Sequence, residues 1–200
     1  VLINTMLPFC AALAARLRGA KVVYHVHETS IRPALLKAFL RRVIAGCASK
    51  VVYVSKYLQV QEGVAGVPAV TVYNGLAEGF QQQAMATPYQ HLHAGRFNVL
   101  MLASLKGYKG VDEFVALATA LAGDPLLKFT LVLNASPQEV DSYFAGKALP
   151  ANLVLSPASA DVAKFYREAS LVLNLSHVDG WVETFGLTIL EAMAFGIPTI

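Results

Sequence analysis

Short apolar runs alternate along this chain with longer stretches in which apolar residues recur every three or four positions. The first kind of pattern predicts buried strands and the second amphipathic helices. Thr5 is placed to cap a helix over 6–18, with Pro8 early in it and Gly19 as its stop. "KVVYHVH" (21–27) predicts a β-branched strand. Over 32–48, Leu35, Leu36, Phe39, Leu40 and Val43 fall on a helical stripe, while Arg32, Lys37, Arg41 and Arg42 point elsewhere. Strands are predicted at 50–55 and at 69–75, the latter closed by an Asn-Gly turn.

The periodicity lapses over "FQQQAMATPYQHLHAGR" (80–96), which reads as a linker between two domains. It resumes with strands at 97–103, 128–134, 152–156 and 170–175, and with helices at 110–122, 137–145, 160–169 and 186–195. A last strand opens at 198–200. This β-α alternation predicts an α/β protein with right-handed crossovers and parallel sheets. The expected division is a Rossmann-like domain over 1–80, a linker over 81–96 and a second Rossmann-like domain over 97–200. Two such domains would face each other across a cleft, with the loops after the strand C-termini turned toward ligand.

Composition sharpens this picture. The chain is 56% hydrophobic and 14% charged, with a mean hydropathy of +0.51. A spanning helix needs about 20 consecutive apolar residues. Arg16, Arg18 and Lys21 interrupt the N-terminal candidate, so helix-covered parallel sheets account better for the apolar character. The net charge of +3 suits an anionic ligand or membrane surface, without the dense basic patch of a nucleic-acid binder. Cys10 and Cys47 form no Cys-x-x-Cys and read as buried thiols of a cytoplasmic protein. No signal peptide is expected. The helix at 32–48 combines basic residues with an apolar stripe, which suits contact with an anionic membrane face. Its leucines are equally what a Rossmann-like domain buries, and a half-buried surface helix is the simpler expectation.

Several chemistries find no support. Neither G-x-G-x-x-G nor a Walker loop occurs. The lack of Asp-x-Asp leaves a metal-held diphosphate unsupported. His25 with His27, and His91 with His93, share a face only if each pair lies in a strand, and two histidines alone are weak evidence for zinc. No metal or cofactor is expected.

One constellation remains, in "WVETFGLTILEAMAFGIPTI" (181–200). Gly186 is a poor interior helix residue, so a helix is expected to begin between Thr184 and Gly186, with Thr184 as N-cap. Glu183 then lies in the preceding loop and Glu191 on the helix. The N–H groups of Gly186, Leu187 and Thr188 would offer an anion seat between the two carboxylates. A sugar nucleotide fits that combination. An amphipathic helix with one solvated glutamate fits the same spacing.

The same stretch resembles the E-x7-E signature of retaining glycosyltransferases of the GT-B fold, group 1 (family 4). "VVYHVHE", "VVYVSKYL", "VYNG", "LASLKGYKGVDEF" and "ADVAKFYREASLVLNLS" resemble further family segments in order. The resemblance implies an N-terminal acceptor-side domain and a C-terminal nucleotide-sugar domain, both incomplete. The chain begins with Val1 and stops at Ile200 in an opening strand, so a piece of a longer protein is expected. By position, Glu191 would bind the ribose hydroxyls, Glu183 would face the donor sugar, and Lys109 would neutralise the diphosphate. His27 would approach the sugar from the other domain. Asn134, Phe185, Gly186, Leu187 and Thr188 fall among the donor-binding positions. The family's arginine falls at Ser104, with Lys106 near enough to compensate, and "HVDGWV" lengthens the approach to Glu183. The implied substrate is a nucleotide-sugar, and the implied acceptor a saccharide or lipid-linked hydroxyl in bacterial polysaccharide or lipopolysaccharide assembly. The implied location is cytoplasmic, or peripheral at the inner membrane face. A GT-B sugar-nucleotide epimerase and a non-catalytic nucleotide-sugar-binding domain are the alternatives.

Overall fold

A computed structural model of the chain describes residues 1–29, 31–177 and 185–200. It divides into two compact units, one built on Val1–Gly75 together with Phe185, and one on the remaining chain from Leu76 onward.

The first unit is a four-stranded parallel sheet whose strand order follows the chain. Its strands are β1 (Leu2–Asn4), β2 (Val22–Val26), β3 (Ala48–Tyr53) and β4 (Ala69–Thr71), with helices α1 (Phe9–Leu17), α2 (Ala34–Cys47) and α3 (Lys56–Glu62) between them. Val22, Tyr24 and Val26 alternate inward along β2 and meet Leu40 and Ile44 of α2 in the core. Burial pushes the Tyr24 hydroxyl up to about 12. Thr5 does not cap α1. It adopts a left-handed φ of 75°, and the N-cap position falls at Pro8 with no side-chain cap. Cys47 is buried as expected, but Cys10 is exposed. The core face of α1 is set by Ala12, and two residues turn the helix by about 200°, which carries Cys10 to the outer side.

Helix α2 buries Leu40, Val43, Ile44 and Cys47, while Leu35 is 85% and Phe39 42% exposed. Two of its basic residues turn inward. Glu62 is only 3% exposed and pairs with Lys37 at 2.6 Å and Arg41 at 3.2 Å. Arg41 also donates to the Gly63 carbonyl, and Lys37 to that of Thr29. A buried carboxylate needs such partners, so Lys37 and Arg41 serve the fold rather than a basic outer face.

The second unit has strands β5 (Phe97–Ala103), β6 (Leu127–Leu133), β7 (Leu153–Ser156) and β8 (Leu171–Val172). Its helices are α4 (Glu78–Met85), α5 (Val111–Ala120), α6 (Pro137–Phe144), α7 (Ala163–Arg167) and α8 (Leu187–Ala194). The strand order is β7-β6-β5-β8, all parallel. Thr199 adds a further parallel bridge to Val172, where the terminal strand was expected to open. Five consecutive residues of β6 are buried, the mark of a strand covered on both faces. Helix α6 has a full capping box, Ser136 with Glu139, and Pro137 in its first turn.

The segment expected as a linker from residue 81 does not start as one. Helix α4 occupies its first residues, and the boundary between units falls after Gly75. The three glutamines lie on exposed positions, while Ala84 and Phe80 enter the second core. Phe80 packs edge-on against Tyr166 and Phe195. This narrow apolar side is too small to register as a periodic pattern.

Candidate functional site

The order of the second sheet creates a switch. The chain runs outward from β5 through β6 to β7, then returns to place β8 on the other side of β5. The loops that follow β5 and β8 therefore leave their strands in opposite directions, the arrangement that in open α/β sheets puts the ligand end at the strand C-termini. The candidate residues of this unit gather on the segments that leave this edge.

The loop after β5 carries Ser104, Lys106 and Lys109 through tight turns. Lys106 N–H donates to the Ser104 carbonyl at 2.7 Å, and Lys109 N–H to that of Lys106 at 2.9 Å. Gly110 ends the loop at φ 71°. A side chain there would run into the Leu175 carbonyl and Cβ, so only glycine allows α5 to start this close to the segment leaving β8. Across that contact, Lys109 Nζ donates to Ser176 Oγ at 3.4 Å, and the Ser176 hydroxyl donates to Asn174 at 2.8 Å. His177 N–H donates to the Tyr108 carbonyl, and His177 Nε2 lies 2.7 Å from Glu113. Lys109 thus sits at the switch, and Lys106 is exposed beside it. Asn134 is exposed at the end of β6, its N–H bound to the Ala103 carbonyl at 2.8 Å.

Helix α8 starts at Leu187, with Gly186 in the N-cap position and no side-chain cap. Its first backbone bond runs from Leu190 N–H to the Gly186 carbonyl. The N–H groups without a partner inside the helix are therefore those of Leu187, Thr188 and Ile189, one residue further along than expected. Phe185 and Gly186 are half-buried, as is Thr188. Glu183 and Thr184 lie outside the described residues.

Glu191, one turn into α8, is half-buried and accepts a 2.6 Å hydrogen bond from the Tyr166 hydroxyl of α7. Burial raises its carboxyl above the ordinary range, and the Tyr166 bond pulls it partly back. Tyr166 is buried, and its hydroxyl is held well above its usual range by that burial and by Glu191. Only one carboxylate oxygen is engaged by Tyr166, which leaves acceptor capacity for hydroxyl donors. Sequence reasoning does not reach Tyr166, Asn174 and Ser176. In sequence Tyr166 is one more apolar position of a helix, and only the fold brings its hydroxyl to a residue 25 positions away.

His27 belongs to the first unit, just past the end of β2. Its Nε2 lies 2.7 Å from Asn4 Oδ1, and its backbone N–H donates to Glu28 at 3.0 Å. The His25 ring is 4.1 Å away. Burial, then the neighbouring His27, lowers the His25 pKa. Among the described residues no group of three or more His, Cys, Asp and Glu is arranged to hold a metal ion. No helix there is long and apolar enough to cross a membrane.

Comparison with solved structures gives the same architecture. Anabaena Alr3699/HepE, crystallised with UDP and glucose, superposes with a TM-score of 0.72 at 22% identity, covering 99% of this chain and 58% of that one. A glycosyltransferase from Rickettsia africae gives 0.72 at 19% identity, covering 99% and 56%. The pneumococcal O-GlcNAc transferase GtfA, in complex with UDP and GlcNAc, gives 0.65 at 16%, covering 99% and 41%. The chain thus spans little more than half the length of the first two, and its α/β units with two parallel sheets match those of GT-B glycosyltransferase structures. No curated protein matches it significantly. The sequence pattern described as glycosyl transferases group 1 matches residues 89–200, more than half of the chain. The chain belongs to the glycosyl transferases group 1 family.

Proposed function

We propose that this chain is part of a retaining, family 4 glycosyltransferase that moves a sugar from a nucleotide-sugar, with UDP the first nucleotide to try, to an acceptor hydroxyl. The observation that carries this reading is the switch-point set: Lys109, Lys106 and the first N–H groups of α8 for a diphosphate, and a half-buried Glu191 with acceptor capacity for ribose. Family membership supports it. Two similar structures, those of Anabaena HepE and the pneumococcal GtfA, were solved in complex with UDP or a UDP-sugar.

In this mechanism departure of the diphosphate is the demanding step, and the transition state is oxocarbenium-like. The lysines and helix N–H groups stabilise the leaving charge where it develops. No Asp-x-Asp occurs in the sequence, so we assign this work to cationic side chains and backbone dipoles without a metal. The diphosphate takes the acceptor's proton. Glu183 and His27 are assigned to the donor sugar, and Ser104, Asn134 and Phe185 to the donor pocket. We assign the reaction to bacterial polysaccharide or lipopolysaccharide assembly on the cytoplasmic side.

Peripheral contact with an anionic membrane is part of the proposal, through exposed Leu35 and Phe39 of α2 with Arg32 and Arg42. Arg32→Glu with Arg42→Glu should abolish co-sedimentation with anionic vesicles. Undiminished binding would remove the membrane contact.

The deciding experiment is calorimetry of UDP and UDP-sugars with the full chain in EDTA. Binding is expected, weakened about 10- to 100-fold by Lys109→Ala, the loss of one charge-assisted hydrogen bond. Binding that needs a divalent cation would sink the metal-free step. Full affinity in Lys109→Ala would sink its role. Conversion of the donor without acceptor would point to an epimerase, and binding without turnover in the complete protein to a non-catalytic domain.

A further inference from the structure

Two aromatic contacts fix the ring of Tyr166. It stacks on Phe195, with centroids 5.7 Å apart and planes at 16°, and Phe80 meets it edge-on at 5.9 Å. The residue is 1% exposed. With the ring fixed, the hydroxyl oxygen has one position, and only its proton can turn. Packing alone does not ask for that oxygen, since phenylalanine would make the same ring contacts. A hydroxyl taken out of water needs a partner, and the one it meets is a carboxylate. Glu191 Oε2 lies 2.6 Å away, the length of a charge-assisted hydrogen bond. The Thr188 carbonyl, at 3.4 Å, is the weaker alternative.

Glu191 is the opposite kind of side chain, long and rich in rotamers. Among the described residues the Tyr166 hydroxyl is the one side-chain donor that reaches it. Turning the carboxylate out of place breaks that bond, so tying Oε2 also sets Oε1. Burial favours the protonated carboxyl, and the Tyr166 bond works against it, toward the ionised form that only accepts hydrogen bonds. With one oxygen partly used, the carboxylate keeps lone pairs for two more donors. A vicinal diol supplies two.

We propose that Tyr166 is a positioning residue, whose hydroxyl locks the Glu191 carboxylate in the orientation that accepts the 2′- and 3′-hydroxyls of the nucleotide ribose. The proposal rests on the reading of Glu191 as the ribose ligand and adds to it the group that makes that ligand rigid. A carboxylate ordered in advance loses little rotamer freedom when the nucleotide arrives. The benefit is therefore confined to ligands that carry the diol. That confinement separates positioning from a structural role, which would serve every ligand alike.

The test is calorimetry of the full chain with UDP and with 2′,3′-dideoxy-UDP. The unmodified chain should bind UDP about tenfold tighter or more, the effect of hydrogen bonds to a charged acceptor. In Tyr166→Phe, UDP should weaken about three- to tenfold while the dideoxy analogue binds as before, which also shows that the variant folds. In Glu191→Ala the two ligands should bind alike, and adding Tyr166→Phe should change nothing further. Equal affinity of the unmodified chain for both ligands, or binding of neither, would remove the ribose reading and this proposal with it. Undiminished preference for UDP in Tyr166→Phe would overturn the proposal and leave the ribose reading standing. Equal weakening of both ligands would make Tyr166 a structural residue, and a further loss of UDP in the double variant would show that it acts without Glu191. Either result overturns the proposal.

Discussion

The two units use the same architectural plan with opposite charge. Residues 1–75 hold nine Lys and Arg against Glu28 and Glu62, a net +7, while residues 76–200 hold seven against eleven acids, a net −4. The first unit orders its strands as the chain runs, and the second reverses direction at β5. Excess positive charge in the first unit is partly spent inside, on Glu62. In the second, where cations are scarce, Lys106 and Lys109 stand together on the loop leaving β5 at the switch point. Where a lysine stands relative to the strand order therefore says more about chemistry than net charge does.

The strongest way to break this contrast is to remove the internal use of charge. Lys37→Met with Arg41→Met leaves Glu62 buried without a counter-ion. We expect a loss of about 3–5 kcal/mol, read by chemical denaturation, with hydrogen exchange quickening in the first unit. Next comes the switch itself. Gly110→Ala should cost ~2–4 kcal/mol, of which ~1–3 reflects the left-handed φ and the rest displacement of the Leu175 backbone. Nucleotide binding should fall with it, while the first unit exchanges as before. A smaller effect is expected of Tyr166→Phe, about 1–2 kcal/mol for the lost bond to a carboxylate. The ring still fills its place against Phe80 and Phe195.

Glu191→Gln should act in the opposite direction. Burial raises the Glu191 pKa in the folded chain above its ordinary 4.5. Its contribution to stability is therefore fully present below that value and lost as pH rises through the folded pKa. Near neutral pH the ionised form is a burden, so Glu191→Gln should raise the melting temperature slightly there and leave it unchanged or lower near pH ~4. Nucleotide affinity should drop at both. A melting temperature that falls at neutral pH would show that Glu191 stabilises the fold as an ion.

Much of this is legible in the sequence. β2, α2, β5, β6 and α6 fall within two residues of the periodic patterns, because each buries a continuous run or a broad stripe. β1 has three residues, too few to show a period. α3 was not picked out, although Ser55 caps it by accepting from Leu58 N–H. α4 hid because only Phe80 and Ala84 of this polar-faced helix enter the core. Lys109 and Glu191 could be picked from spacing and resemblance, since loop and helix positions are local properties. Tyr166, Asn174 and Gly110 could not, because their meaning depends on which strands become neighbours.

The return of β8 to the side of β5 also sets a timetable for synthesis. From β2 onward, each strand of the first unit finds its partner already made, so that sheet can grow as the chain emerges. One edge of β5 instead waits, from the moment Ala103 leaves the ribosome until Leu171 and Val172 arrive. For all that interval a strand destined for the middle of a sheet stands open to pairing with another chain. The price of the crevice is a nascent chain with a long-exposed edge, and slowed translation before residue 171 should favour aggregation of the second unit and spare the first.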